Sequence, residues 1–544
     1  MNAILSAMAL MAVEAEPIDA NLVRKTIWLP DIQQMVVFVT ADALVIPDAD
    51  AFAADEIPAV EAMARDNPSN ADCYWKLASL YQKAGNRAKA DVAYSKAEEL
   101  YQARLSTNPE DGLSRARLAA ISNRGVPRNE LRREFRQAVM NSPREWECRE
   151  LQFNYLTVQV EEVFSSPGSR SICGPRYHGI RQFQVNNKVF GAAALRDRLS
   201  LLDEAIEGLD QAAKLFPKNP KVLVDRMAGA WLRVALSDAI QHAQGEFPDA
   251  DESYRASRKL LSDIWTAAAL APNNARIIGG AACCELIFAL KFEKNRPKSL
   301  DEVPGLSAEK RKSITDVVYR LRQLSDNADL QTATDGAESL AEIDCLCGGA
   351  FGAEECLARL VQRRPSLRGA WDLRRSLLIR QKSRRNELIA LCAERLKYDD
   401  SARNRYFLAE AYARARRTAE ARKTLDEALA KEPDNFDCTL GLAAVLMLTG
   451  DAADLDRAGR LLKLCNLYVR NQPTRDEAIN YAVLQGAYYA LRDQVDELRE
   501  LVSSIKEGGV SDERLDEFEK IVGPDILLAP PPGIPIQPVS GTRK

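Results

Sequence analysis

Cys173 and His178, in the run "ICGPRYHG", are the first residues whose types suit chemistry. A thiolate beside an imidazole can serve as nucleophile and base. Closeness in sequence does not supply that geometry, because such pairs normally converge from distant segments. The one other histidine is His242, so acid–base catalysis by imidazole has little material. Eleven cysteines are scattered from Cys73 to Cys465 without a framework spacing. The nearest approaches to a metal motif, Cys283-Cys284 and Cys345-Leu346-Cys347, lack the paired C-x-x-C of a zinc site. Gly279-Gly280 and Gly348-Gly349 do not form a phosphate-binding loop and read as turns between helices. The expectation is a non-enzymatic chain with no cofactor and no metal, its thiols reduced and buried.

The other chemical feature is charge. The whole chain carries a formal −4, which argues against wholesale nucleic-acid binding. From Arg363 to Lys423, however, 18 Lys/Arg stand against 7 Asp/Glu, so 18 − 7 = +11. A field of that sign recruits anionic partners.

What holds these residues in place is helical. Ala and Leu dominate a chain that is 46% hydrophobic and 28% charged, a composition that suits helices. At 544 residues it exceeds one ordinary core. "YFLAEAYARARRTAEARKTLDEALAKEPDN" places Leu408-Ala409, Tyr412, Ala421, Leu425, Ala428 and Pro433 as two antiparallel helices and a stop. The stop recurs: 399 − 365 = 34 and 433 − 399 = 34 for Pro365, Asp399 and Pro433, and 143 − 109 = 34 for Pro109 and Pro143. Tyr74, Leu77-Ala78, Tyr81, Gly85, Ala90, Tyr94 and Ala97 repeat the same offsets, and further copies close at Pro217, Pro272 and Pro473.

Period and residue types together resemble the tetratricopeptide repeat family. The resemblance implies an all-α solenoid: antiparallel helix pairs stacked into a right-handed superhelix, with the first helix of each pair lining a concave groove. The expected organisation is an irregular segment 1–54, an N-terminal repeat block 55–160 and a loop insertion 161–189. Central degenerate repeats 190–333 follow, with a charged insertion at 291–314, and then a C-terminal repeat block 334–510. A terminal helix and proline-rich, disordered tail occupy 511–544. Within 1–54, "QQMVVFVTADALVIPD" has the β-branched richness of short strands.

Numbered by the repeat, Lys83, Arg124, Arg380 and Arg414 share the thirteenth position, and Lys76 and Arg117 lie on the same stripe. The resemblance makes these six the candidate partner-binding residues, facing a protein or peptide that the charge would make acidic. The family's carboxylate clamp uses Asn where this chain has Ser79, Ala120, Ser376 and Glu410, which argues against that ligand. The expected function is a scaffold or adaptor that binds a partner in its groove. The alternative is a nucleic-acid-associated repeat using 363–423. The expected compartment is cytoplasmic. Export through the weak apolar start "MNAILSAMALMAVEA" is the alternative, although it lacks a basic n-region. No segment reads as a membrane span.

Overall fold

A computed structural model describes residues 52–122, 128–161, 192–244, 261–290, 297, 299–347, 351–379, 381–469, 475–492 and 494–507. Among them the regular elements are all helical, twenty-one α-helices and two short 3-10 turns. The strand-like run before Asp48 and the proline-rich tail lie outside the described residues. The described residues divide between Leu377 and Leu378 into two compact units.

The first unit opens with α1 (Ala53–Asp66), which packs on α2 (Ala71–Lys83). Antiparallel pairs follow: α2 with α3 (Arg87–Thr107), α4 (Gly112–Ile121) with α5 (Arg128–Asn141), and α6 (Trp146–Glu161) with α7 (Ala192–Leu215). Next come α8 (Pro220–Ala243) with α9 (Leu261–Leu270), α10 (Ala275–Leu290) with α11 (Ala308–Ser325), and α12 (Leu330–Leu346) with α13 (Ala353–Arg363). Helix α14 (Arg368–Ile379) closes the unit and crosses its boundary. The second unit holds α15 (Arg385–Arg395). Its pairs are α16 (Ala402–Arg414) with α17 (Thr418–Lys431), α18 (Phe436–Met447) with α19 (Ala452–Val469), and α20 (Arg475–Leu491) with α21 (Val495–Glu507). Each unit is a solenoid in which neighbouring pairs stack.

The turns between pairs show why the period is kept. At Asn67-Pro68, Asn108-Pro109, Arg364-Pro365 and Glu432-Pro433 the residue before proline leaves helical geometry, with φ −135 and ψ 85 for Asn108. Proline's ring disfavours αR at the preceding residue. The N–H of that preceding residue still closes the old helix, as Asn108 N–H does on the Arg104 carbonyl at 2.8 Å. Two residues later the next helix is capped: Asp111 accepts from Ser114 N–H at 3.0 Å, and Asn435 from Cys438 N–H at 3.0 Å. These are stop and start signals folded into four residues.

Three expectations meet different surroundings. The 161–189 insertion was placed between two blocks, yet the helices flanking it, α6 and α7, pack as one pair. The last part of the charged insertion is helical, because Ser307 caps α11 by accepting from Lys310 N–H at 3.2 Å. Gly279-Gly280 lie inside α10 and not at a turn. A Cβ on Gly279 would stand 2.6 Å from Ser339 Cβ, so glycine there lets α10 and α12 approach. Gly348-Gly349 are outside the described residues.

The first unit also meets itself. Arg364, in the turn after α13, pairs with both carboxylate oxygens of Asp55 in α1, 309 positions away, with Nη2 3.2 Å from Oδ1. Its guanidinium lies 4.8 Å from the ring centre of Phe52.

Candidate protein-binding surface

Arg117 was expected in the groove as a ligand for an anionic partner. Its charge is already engaged. Nε and Nη2 each donate to Glu147 of α6 at 2.7 Å, Nη1 contacts Asp72 of α2 at 2.5 Å, and Tyr101 Oη lies at 3.2 Å. The side chain is only 12% exposed. Burial opposes its charge, but Glu147 and Tyr101 outweigh that and hold its pKa above the ordinary arginine value. Arg117 thus ties three successive helix pairs together.

Lys76 bridges back to Glu56 of α1 at 3.0 Å. Arg414 donates to Glu410 on its own helix at 3.0 and 3.1 Å, and Glu410 is itself buried. Lys83 is exposed. Arg124 and Arg380 lie outside the described residues. The expected ladder of like charges is in large part a ladder of opposite ones between successive first helices. Lys76–Glu56, Arg117–Asp72, Arg117–Glu147, Lys221–Glu150 and Arg276–Asp335 are its rungs. Sequence held a signal for this: Asp72, Glu147, Lys221 and Arg276 are each the second residue of their helix. Counting only basic residues hid it.

The second unit presents a different face. At the repeat positions of Lys76, Ser79 and Gln82 in α2, helix α16 has Phe407, Glu410 and Ala413, and α18 has Gly441, Ala444 and Met447. In α2 the three are exposed or half-buried; in α16 and α18 all six are buried. Phe407 is flanked by the guanidinium groups of Arg395 and Arg403, 5.8 and 5.2 Å from its ring centre. Tyr406 reaches onto α18 where Gly441 leaves room, since a Cβ there would meet its ring at 2.7 Å. Leu440, Val483 and Leu484 extend this apolar surface.

Little else offers chemistry. The described cysteines are buried. Burial pushes the thiols of Cys148, Cys438 and Cys465 up to about 12, far from a thiolate at neutral pH. Cys173 and His178 lie outside the described residues. Among the described residues no group of His, Cys, Asp and Glu stands ready for a metal, and no helix is long and apolar enough to cross a membrane.

Comparison with curated proteins gives no match. Solved structures resemble the chain at low identity. Yeast Tom70 is 12% identical, over 86% of this chain and 91% of that one, with a TM-score of 0.37. The Cut9–Hcn1 hetero-tetramer of APC/C is 12% identical, over 95% and 86%, with a TM-score of 0.27. The TPR domain of P58(IPK) is 13% identical, over 87% and 99%, with a TM-score of 0.19. Scores of that size say nothing of function. A tetratricopeptide repeat model matches residues 402–445, which are α16, α17 and most of α18. Helix pairs that keep this period and these turns recur along both units, so the fold is an all-α helical repeat that is similar to tetratricopeptide repeats, with the family match itself at residues 402–445.

Proposed function

We propose that the chain is a non-enzymatic adaptor, and that the first-helix face of its second unit holds a protein segment. One observation carries this reading. Positions exposed or half-buried in α2 carry Phe407, Glu410 and Ala413 in α16 and Gly441, Ala444 and Met447 in α18, all six buried and five of them uncharged. Apolar surface of that kind in a concave site is where binding energy concentrates. The preferred ligand is an apolar segment bearing acidic residues, since Arg395 and Arg403 flank Phe407.

The nucleic-acid reading of 363–423 has less support. Arg364, Arg374, Arg405, Arg417 and Arg422 each pair with a carboxylate. Such pairs leave less charge to release counterions from a phosphate backbone.

The test is affinity purification of the full chain from native extract, quantified by mass spectrometry. Phe407→Asp is expected to cut recovery of specific partners roughly tenfold, the loss of one anchor, with Lys83→Glu changing it little. Recovery indifferent to Phe407→Asp and abolished by Lys83→Glu would return the site to the basic ladder.

A further inference from the structure

We propose that the first-helix face of the first unit takes the basic side chain of a partner protein segment, an arginine or a lysine, at Glu342 of α12 and Ser376 of α14. The site shares no residue with the face proposed on the second unit and does not rest on that reading.

Helix α12 is acidic throughout. From Leu330 to Leu346 it holds Asp335, Glu338, Glu342 and Asp344 and no Lys or Arg, so 0 − 4 = −4. Three of these acids have partners. Arg276 of α10 lies 2.7 Å from Asp335 and 3.4 Å from Glu338, and Asp344 accepts from Ala353 N–H at 2.8 Å. Asp335, Glu338 and Glu342 stand at i, i+3 and i+7, on one side of the helix. That side belongs to the first-helix face, because the Arg276–Asp335 rung lies on it.

Glu342 is the exception. The residue is half-buried, and its Oε2 is sealed from solvent without a hydrogen-bond partner. Arg276 is the only base on α10 or α12. Bases of the other helices that pack on α12 are held elsewhere. Glu285 holds Lys310 of α11 at 3.4 Å, the Phe351 carbonyl holds Arg322 of α11 at 2.9 Å, and Asp326 holds Arg359 of α13 at 2.8 Å. Burial, with Glu338 adding to it, pushes the Glu342 carboxyl well above the ordinary carboxylate range, and Arg276 only partly opposes this.

Ser376 repeats the pattern one period on, since 376 − 342 = 34. It is 5% exposed, and its Oγ is buried without a partner. Helix α14 continues the stack beside α13 through Arg374–Glu354 at 2.9 Å. Buried polar atoms are nearly always hydrogen-bonded. Two orphaned oxygens at one repeat position therefore mark a ligand that donates to both.

The class of ligand follows. Beside a carboxylate it must carry positive charge. Among the described residues no group of His, Cys, Asp and Glu stands ready for a metal, so the cation is an organic one. An ammonium has three donors and a guanidinium five, enough for both oxygens. Stacked repeats offer extended surfaces to protein segments, which brings such a group in on a side chain.

Fluorescence anisotropy of the full chain with labelled Ala/Leu peptides that differ only at one central residue tests this. Arginine or lysine there is expected to bind roughly tenfold tighter than norleucine, the effect of one charge-assisted hydrogen bond. Glu342→Gln keeps the shape and drops the charge, so it should erase most of that preference, and Ser376→Ala should reduce it. Glu355→Gln, at an exposed acid of α13, should leave the preference intact. Phe407→Asp should leave it intact as well, which keeps this test apart from that of the second unit. Equal binding of all three peptides, or a preference that survives Glu342→Gln, would overturn the proposal and leave Glu342 a hydrated acid. Glu342→Gln should melt no lower than wild type, because it removes a carboxyl that burial disfavours. A clear drop in its melting temperature would show a structural role for the carboxylate and overturn the proposal too.

Discussion

Asp225 of α8 is a carboxylate kept where charge is unwelcome. Burial pushes its pKa up to about 7, with Glu150 adding to the rise and Lys221 only partly opposing it. Between roughly pH 4 and 7 the folded chain therefore retains a proton that the unfolded chain has released. Stability must fall as pH rises through that window and level off above it. Asp225→Asn should remove the fall, gaining at most ~4 kcal/mol at pH 8 and nothing below pH 4. Thermal melts of both proteins across pH 4–8 check this, and parallel curves would contradict it. At this scale the sequence was least legible. Residue type marked Arg117 as charged, but its partners Asp72, Tyr101 and Glu147 come from three other helices. Distances of that kind exist only after stacking.

Helices and turns were far more legible, because they rest on local rules. Leu408, Ala409, Ala421, Leu425 and Ala428, read as the seam of one pair, are all buried. The turns fall at the prolines that the 34-residue spacing marked, since proline acts on its immediate neighbours. Gly279-Gly280 misled for the complementary reason: glycine permits a turn, but here it permits a close crossing that only α12 explains. The turn inside each pair makes its own prediction. Gly85 and Gly450 have φ of 76 and 70, and the same position after α16 is Arg416 at φ 59. A left-handed conformation costs a residue with a Cβ about 1 kcal/mol, partly offset by glycine's greater freedom when unfolded. Arg416→Gly should raise stability by up to ~1 kcal/mol, read as a higher denaturant midpoint with unchanged slope. A lower midpoint would mean that Arg416 makes a contact worth more than its strain.

At the scale of the molecule, the first unit is held by more than neighbour contacts. Arg364 joins α1 through Asp55 and Phe52, and Asp55 is half exposed. Partly exposed pairs contribute about 1 kcal/mol or less. Arg364→Glu should therefore loosen α1 alone, seen as faster hydrogen exchange over 53–66 with α2 and α3 unchanged. Exchange spreading through the unit would make that contact a keystone. The main claim is that stability passes from pair to pair. Ala421 is fully buried in α17, facing α16, and Ala421→Trp overpacks that seam by about 1–3 kcal/mol. In a stacked array the damage must fade with distance, because each pair touches only the next. Residue-resolved hydrogen exchange of Ala421→Trp against wild type is the most direct test. The expected result is lost protection over 402–469, with 71–141 unaffected. Uniform loss across the chain would show one cooperative globule and contradict the repeat architecture.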